Sequence, residues 1–208
     1  MLKVSDNITL SWLGHASFKL KAGEKIIYID PWKVKKDEAD LILITHSHFD
    51  HLSPDDVRRI QKKETVIVTT RDSASKLKGD IRIVKPGDKI TVDDIEIETI
   101  PAYNIGKSYH PKTNGWVGFV VGLGGLKIYH AGDTDKIPEM KKLNVDIALL
   151  PIGGTYTMTA EEAAEIANEF KPKSVVPMHW GAIVGSKADA ERFSKFFTGE
   201  THILQPEN

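Results

Sequence analysis

The sequence predicts a protein of the α/β class, because segments typical of strands alternate with segments typical of helices. Apolar and alternating runs mark the strands, and short amphipathic segments lie between several of them. The 208 residues are 40% hydrophobic and 27% charged, which suits one globular domain with a sizeable core. We therefore predict a single domain over residues 1–208, made of two pseudo-equivalent βα halves that meet near 105–115.

The first half opens with short strands and continues with alternating elements. Residues 22–24 predict a hairpin turn. Pro54 suits the first position of a helix over 54–60, and residues 72–77 are predicted to be helical. The predicted strands of this half are 8–12, 17–21, 25–29, 41–44, 65–68, 81–84 and 95–100.

The second half follows a loop, residues 101–116, that shows no periodicity. Loops of this length in a compact domain are usually functional or disordered, and the aromatic residues of this loop favour function. Thr159 followed by Glu162 predicts a capping box at the start of a helix, and a second helix is predicted over 188–197. The predicted strands are 117–121, 126–129, 145–150, 174–177 and 202–204.

Three histidines and an aspartate follow the strand at 41–44 directly, namely His46, His48, Asp50 and His51. In an extended chain His46 and His48 point to the same side and can bind one cation, while the other two come a turn later and can face a second. The chain has no cysteine, so its metal ligands must be His, Asp, Glu or Asn. The alternative is a polar loop whose histidines cap backbone groups.

Further candidate residues lie after other predicted strands. His179 and Asp133 are predicted metal ligands, with a core histidine and a turn aspartate as the alternatives. Asp30 is either a carboxylate that orients ligand imidazoles or a residue that ends a strand. His15 and His130 either line the pocket, where they can act as acids toward the leaving group, or belong to the buried structure.

The H-x-H-x-D-H form of residues 46–51 resembles the metallo-β-lactamase superfamily. Similar motifs follow in the order of that family, at residues 129–134 and 177–180. The opening pattern at 12–17 is similar to compact, predicted metal-dependent hydrolases related to ascorbate-phosphate lactonase. The resemblance implies a four-layer αββα sandwich with its metals where the sheets meet at one edge, and it implies that Asp133 bridges both metals.

The pattern and the resemblance together predict a hydrolase with two divalent cations that hold a hydroxide between them. Zn²⁺ suits a His-rich set, and Mn²⁺ or Fe²⁺ are alternatives because the ascorbate-phosphate lactonase relatives use other metals. The predicted substrate is a small ester, lactone or phosphoester. Asp50 is predicted to be a catalytic base, with His130 and His15 as further catalytic residues. The predicted ligands are His46, His48, Asp50, His51, His110, Asp133 and His179.

One position departs from the superfamily pattern. The pattern Pro-Ala-x-His of the nearest relatives places a ligand histidine where this chain has Asn104, a neutral oxygen ligand poorly suited to zinc. His110 follows in the same loop, and the intervening chain can span more than about 10 Å. We predict that His110 completes the first site and that Asn104 only lines the pocket; the alternative is a solvated His110 with water as the ligand. Lys107 and Lys112 suit an anionic substrate.

Charge and composition bear on the partners. The net charge of −1, from 28 basic and 29 acidic residues, lacks the basic excess typical of nucleic-acid binding and counts against a nuclease. A diiron redox enzyme of this fold typically has Glu in place of His48, and a non-catalytic metal-binding module is a further alternative. The chain shows no apolar signal core and no membrane-spanning run, so a cytoplasmic protein is expected. The oligomeric state stays open, and a homo-oligomer is one alternative.

Overall fold

The computed structural model describes residues 1–35 and 37–207, and it divides into two compact units. The first unit comprises Met1–Lys85 and the chain from Leu204 onward, and the second comprises Pro86–Ile203. Each unit contains one seven-stranded β-sheet. The second sheet begins at Lys89, whereas the sequence analysis placed the division between the halves near 105–115. The single domain stays a prediction.

The sheet of the first unit contains β1 (Leu2–Lys3), β2 (Ile8–Gly14), β3 (Ser17–Ala22), β4 (Lys25–Ile29), β5 (Ala39–Ile44), β6 (Gln61–Thr69) and β7 (Asp80–Ile83). These strands lie side by side in chain order. The pairs from β1 to β4 are antiparallel, and the pairs from β4 to β7 are parallel. The carboxyl ends of the parallel strands therefore lie at one edge of this sheet, which is where loops carry functional residues in sheets of this kind.

The described part of the first unit contains two helices, α1 (Pro54–Ile60) and α2 (Arg71–Ala74). The α1 helix begins where the sequence predicts it, because the Ser53 side chain accepts a hydrogen bond from the Asp56 backbone N–H at 3.3 Å. The α1 residues Val57 and Ile60 are buried in the core of this unit. The α2 helix is shorter than predicted and ends at Ala74 in hydrogen-bonded turns.

The sheet of the second unit contains β8 (Lys89–Val92), β9 (Ile95–Pro101), β10 (Val117–Leu123), β11 (Leu126–His130), β12 (Ile147–Pro151), β13 (Ser174–Met178) and β14 (Glu200–Thr201). Its strands also lie in chain order. The pairs from β8 to β11 are antiparallel, and those from β11 to β14 are parallel. The second unit therefore repeats the plan of the first.

Two helices belong to the second unit, α3 (Ala160–Phe170) and α4 (Lys187–Phe196), together with short 3₁₀ segments at Lys112–Asn114 and Pro138–Lys142. The predicted capping box of α3 is confirmed: Thr159 and Glu162 exchange hydrogen bonds of 2.8 and 3.2 Å. The apolar face of α3 is buried, as its periodicity predicts.

The last strand differs from the prediction of 202–204. Glu200 and Thr201 are the two residues that pair with β13. Beyond them, the His202 backbone N–H still donates to the Val175 carbonyl at 2.9 Å. Within the described residues, no helix is long and apolar enough to cross a membrane. The cytoplasmic location stays a prediction.

Candidate metal centre

The predicted ligand residues of the first unit lie in the loop between β5 and α1. His46, Asp50 and His51 are buried, and His48 is half-buried. The His48 carbonyl accepts hydrogen bonds from the backbone N–H groups of His51, at 3.1 Å, and Leu52, at 2.8 Å. This turn folds the stretch back on itself, and the helix cap then starts α1. The turn therefore converts a short sequence spacing into a cluster of side chains.

Asp30 orients two of these imidazoles. It follows β4 in a left-handed conformation (φ 47°) and is fully buried. Its carboxylate accepts hydrogen bonds from His51 Nδ1 at 2.7 Å, from Thr45 Oγ1 at 2.7 Å and from the Thr45 backbone N–H at 2.8 Å. Of the two alternatives for Asp30, these contacts favour the orienting carboxylate.

Thr45 extends this orientation to His46. The Thr45 hydroxyl lies 2.9 Å from His46 Nδ1 and donates its hydrogen to Asp30. A hydroxyl has one hydrogen, so Thr45 Oγ1 accepts from His46 Nδ1. The Nδ1 atoms of His46 and His51 both carry the ring hydrogen, which leaves the lone pair on Nε2 for a metal.

Nitrogen atoms of His46 and His48 lie close enough to share one cation. His46 Nε2 is 3.1 Å from His48 Nδ1, and the two rings are 4.7 Å apart between centroids. Two imidazole nitrogens that ligate one zinc ion sit about 2.0–2.1 Å from it, which a separation of this size allows. The prediction that His46 and His48 point to the same side therefore agrees with the distance between their ring nitrogens.

Asp50 contacts His15 and His51. Its Oδ2 atom lies 2.9 Å from His15 Nε2 and 3.8 Å from His51 Nε2. His15 is buried in the turn between β2 and β3 at φ 53°, and its ring meets the edge of Trp32 at 5.4 Å. The catalytic roles of Asp50 and His15 stay predictions, and the structure places the two side chains in contact.

The predicted ligand residues of the second unit converge on one carboxylate oxygen. Asp133 Oδ2 lies 3.1 Å from His110 Nε2 and 3.1 Å from His179 Nε2. Asp133 follows β11 and His179 follows β13, so two parallel strands deliver them to one edge of the sheet. All three side chains are buried. A histidine tolerates the left-handed conformation of His179 (φ 59°) better than most residues.

The loop at 101–116 brings His110 back beside Asn104. The Asn104 backbone N–H donates to the His110 carbonyl at 2.8 Å, and Asn104 Oδ1 lies 2.9 Å from both the backbone N and Nδ1 of His110. His110 is buried rather than solvated, against Trp116 with ring centroids 5.7 Å apart. The assignment of His110 as the ligand stays a prediction, and this geometry supports it.

Lys107 holds the same loop in place. Its ammonium group donates to Asp135 Oδ1 and to the Thr157 carbonyl, each at 2.7 Å. Lys112 donates to Glu139 at 3.0 Å and lies over the ring of Tyr103. Both lysine ammonium groups are engaged in contacts within the protein. They therefore give no support to the prediction of an anionic substrate.

His130 shapes the turn that leads to Asp133. Its Nδ1 atom accepts a hydrogen bond from the Gly132 backbone N–H at 3.1 Å, and Gly132 has φ 62°. The lone pair of Nδ1 is thereby used within the turn. These contacts fit the alternative of buried structure, and the catalytic role of His130 stays a prediction.

The donor set fits divalent metal ions. When the His110 ring is neutral, its Nε2 lone pair faces Asp133 Oδ2 at 3.1 Å, because Asn104 Oδ1 can only accept and so requires the hydrogen on Nδ1. Facing lone pairs repel one another unless a cation binds both. Buried imidazole and carboxylate are ligands of zinc and of related divalent ions.

Two residues of the site have contacts that the sequence does not indicate. Thr45 stands beside the ligand motif, but a threonine at a strand end gives no signal that it connects a carboxylate to an imidazole. Asn104 was predicted only to line the pocket, whereas it contacts both the backbone and the ring of His110.

Comparison with known proteins agrees with these findings. The family model of the β-lactamase superfamily domain matches residues 9–179. A UPF0173 metal-dependent hydrolase of Thermococcus onnurineus is 37% identical, with 96% of this chain and 97% of the relative covered.

Two solved structures are also similar. A proposed metal-dependent hydrolase of Parabacteroides distasonis has a TM-score of 0.87 and 35% identity, covering 96% of this chain and 94% of the other. Igni18, a metallo hydrolase of Ignicoccus hospitalis, has a TM-score of 0.78 and 25% identity, covering 97% and 96%. The α/β class, the metallo-β-lactamase fold and the superfamily resemblance are confirmed, and the link to ascorbate-phosphate lactonase stays a prediction.

Proposed function

Because this chain belongs to the UPF0173 metal-dependent hydrolases of the β-lactamase superfamily, we propose that it hydrolyses a small ester, lactone or phosphoester with two divalent cations. The proposed ligands are His46, His48, Asp50 and His51 from the first unit and His110, Asp133 and His179 from the second.

The observation that carries this proposal is the position of Asp133. One carboxylate oxygen lies 3.1 Å from the Nε2 atoms of two different histidines, His110 and His179. A carboxylate flanked by two imidazole nitrogens could help to hold two cations, each of which would have one of these imidazoles as a further ligand. The arrangement within the second unit supplies both.

The residues of the first unit supply the means to handle a proton. Bound divalent cations polarise a scissile carbonyl or phosphoryl oxygen and lower the pKa of water. Asp50 accepts a proton from the attacking water, and His15 holds the Asp50 carboxylate through a contact of 2.9 Å. The chain has no cysteine, and this chemistry needs no side-chain nucleophile.

The side chains next to the ligands bear on the substrate. Phe49, between two ligands of the first unit, is 69% exposed and meets Trp32 with centroids 6.2 Å apart. Tyr109, next to His110, is 46% exposed and meets Tyr156 at 4.8 Å. Exposed aromatic groups next to candidate ligands favour esters and lactones with an apolar portion. A phosphoester comes second, because Lys107 and Lys112 are engaged elsewhere.

The test begins with the metal content. Protein purified without added metal and then loaded separately with Zn²⁺, Mn²⁺ or Fe²⁺ should hold about two ions per chain by elemental analysis. We expect Zn²⁺ to bind most tightly to this His-rich set. Asp133→Ala should lose both ions, whereas Asp94→Ala, in an exposed turn, should lose neither. Metal at trace level after loading would overturn the proposal.

The activity test uses a panel of aryl esters, aliphatic and aryl lactones, thioesters and bis(p-nitrophenyl) phosphate. Hydrolysis of a member of the panel that depends on metal and is absent in Asp133→Ala would support the proposal. A protein that binds two ions and hydrolyses nothing in the panel would favour the alternative of a metal-binding module.

A further inference from the structure

The amide of Asn104 has one orientation that satisfies its neighbours. Its Nδ2 donates to the Tyr156 carbonyl at 2.9 Å, and its Oδ1 accepts from the His110 backbone N–H at 2.9 Å. An exchange of the two amide atoms would place a donor against an N–H group and an acceptor against a carbonyl. Both contacts would be lost in a buried position, where unpaired polar groups are costly.

This orientation determines which nitrogen of His110 carries the hydrogen. Asn104 Oδ1 lies 2.9 Å from His110 Nδ1 and has no hydrogen to give. Nδ1 must therefore be the donor, and in the neutral imidazole Nε2 keeps the lone pair. The Nε2 atom is the one that lies 3.1 Å from Asp133 Oδ2.

We propose that Asn104 is a positioning residue that holds His110 in the Nδ1–H tautomer, so that Nε2 of His110 becomes a metal ligand. The superfamily pattern places a ligand histidine at position 104. In this chain the imidazole comes from position 110, and the residue at 104 orients it. The inference about metal binding rests on the proposed function, whereas the inference about the tautomer does not.

Two further contacts support this role. The backbone N–H of Asn104 donates to the His110 carbonyl, so the two residues exchange hydrogen bonds and keep a fixed separation. Trp116 packs its ring against the imidazole from within the same loop. The His110 ring is therefore held by its neighbours without any metal, and the protein prepares the ligand before an ion arrives.

The first experiment measures the tautomer in metal-free protein. Long-range ¹⁵N–¹H correlation spectra at pH 8 distinguish Nδ1–H from Nε2–H, and His110→Gln identifies the His110 signals. Wild-type protein should show His110 as Nδ1–H. Asn104→Ala should show a mixture or Nε2–H, and Asn104→Asp, which keeps the accepting oxygen, should retain Nδ1–H.

Asn168→Ala is the matched control. Asn168 also donates to a carbonyl, that of Phe196 at 2.8 Å, and accepts from the Thr198 backbone N–H at 2.9 Å, but it belongs to α3 and its partners lie at and after the end of α4. Its removal should leave the His110 tautomer unchanged. An Nε2–H signal in the wild type, or an unchanged Nδ1–H signal in a folded Asn104→Ala variant, would overturn the proposal.

The second experiment measures metal affinity with a competing chelator and Zn²⁺. Asn104→Ala should weaken one of the two ions by about 10–100-fold, as expected for a residue that orients a ligand, and Asn104→Asp should recover most of this loss. Equal affinity in wild type and Asn104→Ala would overturn the metal part. If wild-type protein binds no Zn²⁺, the proposed function fails while the tautomer result still stands.

Discussion

The proposed ligand sets of the two units differ in how the chain assembles them. In the first unit the proposed ligands come from the single stretch 46–51, whereas in the second unit they come from residues 110, 133 and 179. The orienting group also differs, since the first unit uses the Asp30 carboxylate for two imidazoles and the second uses the Asn104 amide for one. The comparison shows that a contiguous motif and a dispersed one can present the same kind of ligand atom.

The difference is notable because the two units share a plan. In each, four parallel strands lie side by side, β4–β7 in the first and β11–β14 in the second. Asp40, in β5, accepts from the Ile26 backbone N–H, and Asp146, just before β12, accepts from the Lys127 backbone N–H, each at 2.8 Å or less. Similar frames therefore carry different ligand loops at the carboxyl ends of their strands.

The largest effect is expected in the contiguous set, from Asp50→Asn. The amide keeps the shape of the side chain but accepts protons poorly, so kcat on the best substrate of the panel should fall by about 10²–10⁴-fold while the fold survives. The control is Asp55→Asn, at an exposed position in α1. An unchanged kcat with both ions bound would rule out Asp50 as the base.

The dispersed set is tested by His110→Ala. Removal of a ligand should weaken one ion by more than the roughly 10–100-fold typical of orienting residues, and leave the other less affected. Chelator titration resolves the two ions, and His202→Ala, a half-buried histidine beyond β14, is the control. Equal weakening of both ions would contradict a site-specific role.

The two orienting groups are compared directly by Asp30→Asn. Either orientation of the new amide places an NH₂ group against an N–H or O–H donor of Thr45 or His51. Metal affinity should fall by about 10–100-fold, and by more than in Asn104→Ala because two imidazoles lose their partner. Asp93→Asn is the control, since Asp93 shares the left-handed conformation (φ 54°) in an exposed turn. If Asp30→Asn loses less metal affinity than Asn104→Ala, then Asp30 is the less important of the two orienting groups.

The smallest effect concerns stability, from Asp40→Asn and Asp146→Asn. The hydrogen bond from Lys173 is the main reason that the pKa of Asp146 lies below its usual range. For Asp40, burial alone would raise the pKa, but hydrogen bonds from Lys62 and the Ile26 backbone N–H outweigh it and lower the pKa.

A carboxyl group whose pKa is lowered by folding stabilises the protein above its unfolded pKa of about 3.9, and this stability is lost as the pH falls through the folded pKa. Each variant should therefore cost about 1 kcal/mol at pH 7, and the cost should shrink below pH ~4. Asp40→Asn should cost more, because Lys62 is less exposed than Lys173. Urea unfolding at pH 7 and again below pH ~4 measures the loss in the free energy of unfolding for each variant. A loss that grows in acid would contradict the lowered pKa of these carboxyl groups.

Most strands and the α1 and α3 helices could be predicted from the sequence, and so could the close approach of the His46 and His48 side chains. Alternation of apolar residues and helix capping are local patterns, so a few neighbouring residues are enough to identify them. The ends of α2 and β14 could not be predicted, because turn contacts and the ladder with β13 determine them. The position in the chain where the second sheet begins also could not be predicted, because it depends on which strands pair with one another.

The sequence alone determined the residue types of the site and the order of its motifs, because ligand chemistry depends on side-chain identity and the H-x-H-x-D-H spacing is local. Only the tertiary structure decided that Asp133 lies between His110 and His179, that Asp30 reaches His46 through Thr45, and that Asn104 holds the His110 ring. These contacts join residues that are distant in the chain or separated by an irregular loop. Their geometry arises when strands pair and loops close, and no short stretch of sequence encodes it.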